Sequence, residues 1–292
     1  MSRTVSSLPC GAKVRFGSYC VGNEGAHSIR WIKVNSADTT LLAEHIEDFR
    51  AFDARELDSP QEYRREYGNN RYSVSNIDQF LNSTGDEWYH PQHDTDAPPT
   101  GELTYDGTPY LNHPGFLAYF SEAELEAIVP TEIVVALPQC DSADRDYEII
   151  TRKVFLPSRA NIFGRSVRNT NEGDRWDYFR NGRNASATAT EEAIDNTTLS
   201  GAPEDETTSW YWWLRSPNAD NACNARYVGR DGDVSSGAIA YRGIIGVRPA
   251  LTINPEILVS DEPDDEGYYN VILSIVELED VSEEDFLSIL LG

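Results

Sequence analysis

The side chains most able to contact a ligand lie in one stretch, Trp210 to Leu251, WYWWLRSPNADNACNARYVGRDGDVSSGAIAYRGIIGVRPAL. Between an aromatic start and an aliphatic end it is almost wholly Asn, Asp, Ser, Arg, Gly, Ala and Tyr. Binding loops favour this mixture of adaptable polar groups and rigid amphipathic rings. The candidates for presentation are Asn218, Asp220, Asn221, Asn224, Arg226, Arg230, Asp231, Asp233, Ser235, Ser236, Tyr241 and Arg242. Their chemistry is hydrogen bonding, ion pairing and stacking, which suits recognition rather than bond making. On the residues alone, the same run also reads as ordinary wet surface.

Other chemistries are weaker. His90, His93, Asp94, Asp96 and His113 fall in a Pro- and Gly-rich segment, 84–115. Two nearby histidines with acids on a loop are a poor metal signature, and a solvated polar loop is expected instead. Cys10, Cys20, Cys140 and Cys223 form no CxxC pair and read as ordinary thiols, without metal or disulfide framework. Neither a Ser/His/Asp arrangement nor a phosphate-binding Gly-rich loop stands out. The expectation is a protein that is not an enzyme, with no catalytic residue, cofactor or metal.

The presented residues need a frame. Trp210, Trp212 and Trp213 at one end and Gly246 to Leu251 at the other supply it, and Trp212, Trp213, Leu214, Val247 and Leu251 are expected in the core. A strand ending at Ser216-Pro217 releases a loop at 217–222. A second strand at 224–228 turns at 229–233, and 239–247 returns towards the core. Alternation predicts earlier strands at 14–19, 29–34 and 39–43. Ser75 or Asn76 caps a short helix that buries Ile77, Phe80 and Leu81. A capping box, Ser121 with Glu124, lies within a predicted helix over 116–129. Strands follow at 133–137 and 151–157, with an acidic polar segment between them. Segments 84–115 and 158–208 read as insertions, the second held by Trp176, Tyr178 and Phe179. A strand at 268–276 and a helix at 282–291, capped by Ser282, close the chain. Phe286, Leu287, Leu290 and Leu291 of that helix need a docking surface on this chain, or on a partner or chaperone.

The chain has 292 residues, 24 basic and 49 acidic, for a net charge of −25. Such a surface is a poor partner for duplex nucleic acid, whose binding rests on neutralising phosphates. No run approaches the roughly 18 apolar residues of a membrane helix, so no membrane insertion is expected. The start of the chain lacks the apolar stretch of a secretory signal. A cytoplasmic location, or one within a larger particle, is expected, with surface display only by a non-classical route. Beyond Arg248 there are twelve acidic residues and no Lys, Arg or His.

Trp212-Trp213-Leu214-Arg215-Ser216-Pro217, Tyr227-Val228, Asp231-Gly232 and Gly246-Val247-Arg248-Pro249-Ala250-Leu251 together resemble an uncharacterised bacterial domain family (DUF6273-like) with a WWLRSP…V…DG…GVRPAL signature. The opening FGxY, IxWxxV and TxLLA strands and the helix from Ser75 to Asn82 resemble it too. That family is similar to the C-type-lectin-like fold shared by formylglycine-generating enzymes and by the variable proteins of diversity-generating retroelements. The resemblance implies an α+β, C-type-lectin-like domain over 1–253, with short antiparallel strands, two or more helices and long loop insertions, followed by an acidic strand–helix extension over 254–292. It implies a non-enzymatic ligand- or receptor-binding protein of a phage, prophage or gut-type bacterium. Its variable polar face would lie at 217–242, and its target would be a protein or glycan on a cell surface. In such proteins variation falls on adenine-rich codons, often those of Asn, which Asn218, Asn221 and Asn224 fit. The alternatives are a structural or cell-envelope domain without diversification and an enzyme of the formylglycine-generating type. The latter needs a cysteine pair in its C-terminal core, where only Cys223 stands. Calcium lectins carry an Asn- or Asp-ended proline triplet, and Glu262-Pro263-Asp264 lies outside the closing strand, so it is set aside as coincidence.

Overall fold

The computed structural model describes residues 3–21, 25–105, 107–180, 185–197 and 199–273. They form an α+β protein, mostly short strands in antiparallel and mixed sheets, with a few short helices. From edge to edge, an eight-stranded sheet contains Arg3–Thr4, Leu258–Val259, Tyr268–Ile272, Lys13–Tyr19, His27–Lys33, Thr40–Ala43, Ala250–Thr252 and Val154–Phe155. A five-stranded sheet contains Ala238–Ile239, Asn224–Val228, Trp212–Pro217, Gly246–Val247 and Asp48–Phe49.

Local sequence explains the main strands. Lys13–Tyr19 buries Val14, Phe16 and Tyr19, and its pairing with His27–Lys33 shifts register between Arg15 and Ser18. Gly17 sits in that shift at φ 69°, where a Cβ would stand 2.2 Å from the Phe120 ring. Only glycine fits there, so the FGxY pattern marks a bulge closed by an aromatic ring. All four residues of Thr40–Ala43 are buried, as befits a strand inside the larger sheet.

The closing signature carries the chain from one sheet to the other. Gly246–Val247 pairs with Asp48–Phe49 in the smaller sheet, and Ala250–Thr252 pairs with Thr40–Ala43 in the larger. Pro249 lies at the crossing, where a missing N–H costs no ladder bond. The fully buried Arg248 stitches the crossing by donating to the carbonyls of Ala43 (2.8 Å) and Glu44 (3.2 Å). A side chain at Gly246 would collide with Ile46, at 2.3 Å.

The frame residues sit where the sequence puts them: Trp212, Trp213, Leu214, Val247 and Leu251 are 0% exposed. Buried tryptophans need a partner for the indole N–H. Trp212 donates to Ala185 O and Trp213 to Arg50 O. Helix Asn76–Leu81 is capped by Ser75, and helix Glu122–Ala127 by the Ser121–Glu124 box, preceded by a 3-10 turn over Phe116–Tyr119.

Several short elements were not expected. The polar segment after residue 138 contains Tyr147–Arg152, which pairs residue for residue with Thr131–Ala136. Its outward residues, with Ile149 half exposed, gave no clean alternation. Segment 158–208 contains the short helices Arg159–Phe163 and Glu191–Asp195, each too short to show a helical period. Beyond 254, Leu258–Val259 is a further strand, while the expected strand is present as Tyr268–Ile272 and pairs in parallel with Lys13–Tyr19. The expected helix at 282–291 lies outside the described residues.

Candidate ligand-binding face

Asn224 and Arg226 stand on a strand of the smaller sheet and the other candidates in the loops and turns around it, and their contacts sort them into groups. The loop between Trp212–Pro217 and Asn224–Val228 is held from beneath by Asn70, itself fully buried. Its side-chain amide donates to the carbonyls of Asn218 (3.2 Å), Asn221 (3.1 Å) and Asn224 (2.9 Å). Asn221 caps the loop by accepting from the N–H groups of Cys223 (3.1 Å) and Asn224 (2.8 Å), and Asn218 accepts from Asp220 N–H (3.3 Å). These three asparagines are half-buried and shape the loop, whereas Asp220 is exposed. The tendency of Asn to bond its own neighbouring backbone is the cause.

A second group surrounds the turn after Val228. Arg230 lies flat over the Trp210 ring at 3.6 Å and near Tyr211 at 5.0 Å. A shallow hollow of about 330 Å³ opens beside it, lined by Tyr211, Tyr227, Asp231, Asp233, Val234 and Ser235. Asp231 accepts from Asp233 N–H and so braces the turn, while Arg230, Asp231 and Asp233 remain exposed. Arg226 points from the opposite face of its strand to Tyr227. It donates to the Ser235 carbonyl (3.2 Å), and burial, with Arg159 nearby, pulls its pKa down. Arg226 thus serves the fold more than the face, and Ser236 beside it is exposed.

The third group is the most surface-forming. Tyr241 packs edge-on against Tyr105 (ring centroids 5.4 Å) and tilted against Tyr67 (6.1 Å). Tyr67 in turn stacks on Tyr63 at 6.4 Å with planes 23° apart. The guanidinium of Arg242 lies 5.7 Å from the Tyr105 ring. Backbone bonds fix the arrangement: Tyr241 N–H to Tyr67 O and Tyr105 N–H to Tyr241 O, both 3.0 Å. Tyr63 is 58% exposed and Tyr105 54%. Four tyrosines from three separate segments thus form one surface with Arg242.

Tyr63, Tyr67 and Tyr105 were not among the sequence candidates. Tyr63 and Tyr67 had a signal, since they stand one helical turn apart on Glu62–Tyr67. Tyr105 had none, because only the fold brings the 84–115 segment beneath Tyr241.

The signature arginines do not belong to the face. Arg215 is 2% exposed and donates to the carbonyls of Leu156 (2.8 Å), Glu172 (2.6 Å) and Val134 (3.2 Å), and to Asn161 Oδ1 (3.0 Å). Glu172, 1% exposed, accepts from Ala136 N–H and from the Ser216 hydroxyl. Burial raises the pKa of Glu172, and the nearby Arg215 opposes the rise. A residue of the 158–208 segment therefore locks the strand that starts the face.

The histidines and acids of 84–115 are dispersed. His93 Nε2 lies 3.1 Å from Glu56 Oε1, Asp96 accepts from Gln92 N–H, and His113 sits near Asp48 and Arg50, where burial lowers its pKa. No group of three or more His, Cys, Asp or Glu fit to hold a metal occurs among the described residues.

Cys140 and Cys223, far apart in sequence, both lie beside Arg64. That guanidinium donates to Cys140 Sγ (3.4 Å), to Asp141 and to the Ala222 carbonyl (3.2 Å). Burial pushes the Cys223 thiol up to about 11. A fixed cation beside both sulfurs, with thiolate formation disfavoured, does not fit a copper ion held by this pair. Asp264, in the Glu-Pro-Asp triplet, is spent on Arg15 (3.0 Å) and on Tyr268 N–H (2.9 Å).

Frame and face together define a mixed-sheet α+β protein that presents an aromatic and polar surface. The model of the family described as Domain of unknown function (DUF6273) matches residues 37–255, and the chain belongs to that family. No curated protein and no solved structure matches the chain.

Proposed function

We propose that this is a non-enzymatic ligand- or receptor-binding protein on a C-type-lectin-like scaffold, a variable protein of a diversity-generating retroelement in a phage or its bacterial host. Its target is a protein or glycan on a cell surface. The surface of Tyr63, Tyr67, Tyr105, Tyr241 and Arg242 carries the reading. Tyr and Arg dominate the energetic centres of interfaces, because they bury large rigid area and still hydrogen-bond. Exposed tyrosine rings also suit the apolar faces of sugars. Support comes equally from the frame, where Arg215 and Arg248 are consumed by backbone carbonyls and leave the exposed residues free to vary.

A specific observation favours a second reading, a face that is fixed rather than diversified. Asn218 and Asn221 accept loop hydrogen bonds, so replacing them disturbs the loop itself. Sequencing the encoding locus separates the two. Diversification predicts a reverse transcriptase and a near-identical repeat of the codons for about 215–250 that differs only at adenines. If neither is found, the face is invariant and the diversified reading fails.

A further inference from the structure

A second cavity lies away from the tyrosine surface. It has a volume of about 220 Å³ and opens between the strand His27–Lys33, the segment 45–47 and the start of the helix Glu191–Asp195. Its walls are stiff: Ile46 N–H donates to Thr188 O, Thr190 N–H to Ile46 O, and Glu47 N–H to Val247 O.

Glu47 lines this cavity and is 1% exposed. One carboxylate oxygen is 3.1 Å from His27 Nε2, and the other, Oε1, has no hydrogen-bond partner. His27 Nδ1 is buried without a hydrogen-bond partner as well, 4.0 Å from Glu192 Oε1. A buried carboxylate oxygen left unpaired is costly, so a donor that fills the position is strongly favoured. With the imidazole proton on Nε2 facing Glu47, Nδ1 is an acceptor. Glu47 Oε1, His27 Nδ1 and Glu192 then offer three acceptors to one occupant.

The charge balance gives the occupant's sign. Arg15 is bound by Asp264 and Glu266, and Arg30 lies 3.4 Å from Glu266. Glu191 and Glu206 line the cavity without an ion pair among the described residues. The unspent charge around the cavity is therefore negative.

We propose that the cavity is a binding site for a small molecule bearing a primary ammonium group, held by Glu47, His27 and Glu192. Three N–H donors answer three acceptors, and the buried carboxylate gains its counter-ion. The ammonium could come from a simple diamine or from an amino acid, whose carboxylate would compete with Glu266 for the half-exposed Arg30 at the rim.

Burial pulls the His27 pKa down, but Glu47 and Glu192 outweigh it and raise the pKa above the ordinary imidazole value. Calorimetric titration of the full chain with putrescine, with lysine and with hexanoate therefore tests the site at about pH 9, where the ring is driven neutral. Binding of an amine and not of hexanoate is expected, weakened about tenfold or more by Glu47→Gln. Glutamine keeps the shape of Glu47 and can still accept from His27, and thermal melting checks that the variant is folded. Should it fail to fold, Glu192→Gln at the partly exposed rim gives the same comparison. Putrescine and lysine binding alike identifies the ammonium as the whole determinant, and lysine alone adds the Arg30 contact. Absence of amine binding at millimolar concentration, or equal binding by wild type and folded variants, would overturn the proposal.

Discussion

Arg215 shows how a charged residue comes to belong to a core. Its guanidinium donates to three buried carbonyls and an amide oxygen. Removing it takes a donor from each of the four, of which Asn161 Oδ1 and the Glu172 carbonyl keep one from Ser158, and leaves Glu172 without its nearest cation. Arg215→Met is expected to destabilise the protein by about 3–5 kcal/mol, measured by chemical denaturation. Arg215→Lys is expected to recover only part of that, because an ammonium cannot span the four positions of a planar fork. Asp78 illustrates the opposite balance. Arg152 grips its carboxylate at 2.8 and 3.0 Å, yet burial still lifts its pKa to about 6 from an ordinary 3.8. The folded state holds this proton more tightly than the unfolded chain does. The stability it contributes is complete below about 3.8 and is lost as pH rises through about 6. The wild type should therefore lose on the order of 2–3 kcal/mol relative to Asp78→Asn between those limits. A stability difference that stays flat across that range would contradict the assignment.

At the scale of elements, the loop at 217–222 depends on one residue outside it. Asn70 meets three loop carbonyls, so Asn70→Ala should loosen the loop while the strands that flank it stay paired. Amide hydrogen exchange should show local opening at 218–224 made easier by about 1–3 kcal/mol, with protection at Trp212 and Trp213 unchanged. Equal exchange in the loop would remove Asn70 from that role. Elements with a buried face or a cap were legible in the sequence. Lys13–Tyr19, His27–Lys33 and Thr40–Ala43 alternate or run apolar, and Ser75 and Ser121 announce their helices. Tyr147–Arg152 was not legible, because it leaves Tyr147 and Ile149 in water and so carries no one-sided pattern. Nor was the helix Arg159–Phe163, whose capping box uses Asn161 rather than the expected acid or glutamine.

For the whole molecule, the frame was readable and the surroundings of the candidate residues were not. Trp212, Trp213, Leu214, Val247 and Leu251 are core because large apolar side chains in a strand pattern leave few alternatives. The packing around the candidate residues was not legible. Tyr63, Tyr67 and Tyr105 reach Tyr241 through long-range packing that no local pattern encodes, and the same packing brings Cys140 and Cys223 to Arg64. The cavity at Glu47 was invisible for a related reason. In a chain with 49 acidic residues, nothing local marks Glu47 as a carboxylate that the fold buries with one oxygen unpartnered.

The central claim is that the tyrosine and arginine surface recognises a ligand, and binding to displayed glycans and surface proteins tests it most directly. Wild type, Tyr241→Ala and Arg242→Ala would be compared on arrays of both, beside Glu132→Ala on the exposed hairpin as a control. Selective capture of a target by wild type is expected, weakened by about 1–3 kcal/mol in each face variant and unchanged in the control, with all melting temperatures alike. Capture that survives both face substitutions, or no selective capture of any glycan or protein, would contradict the account.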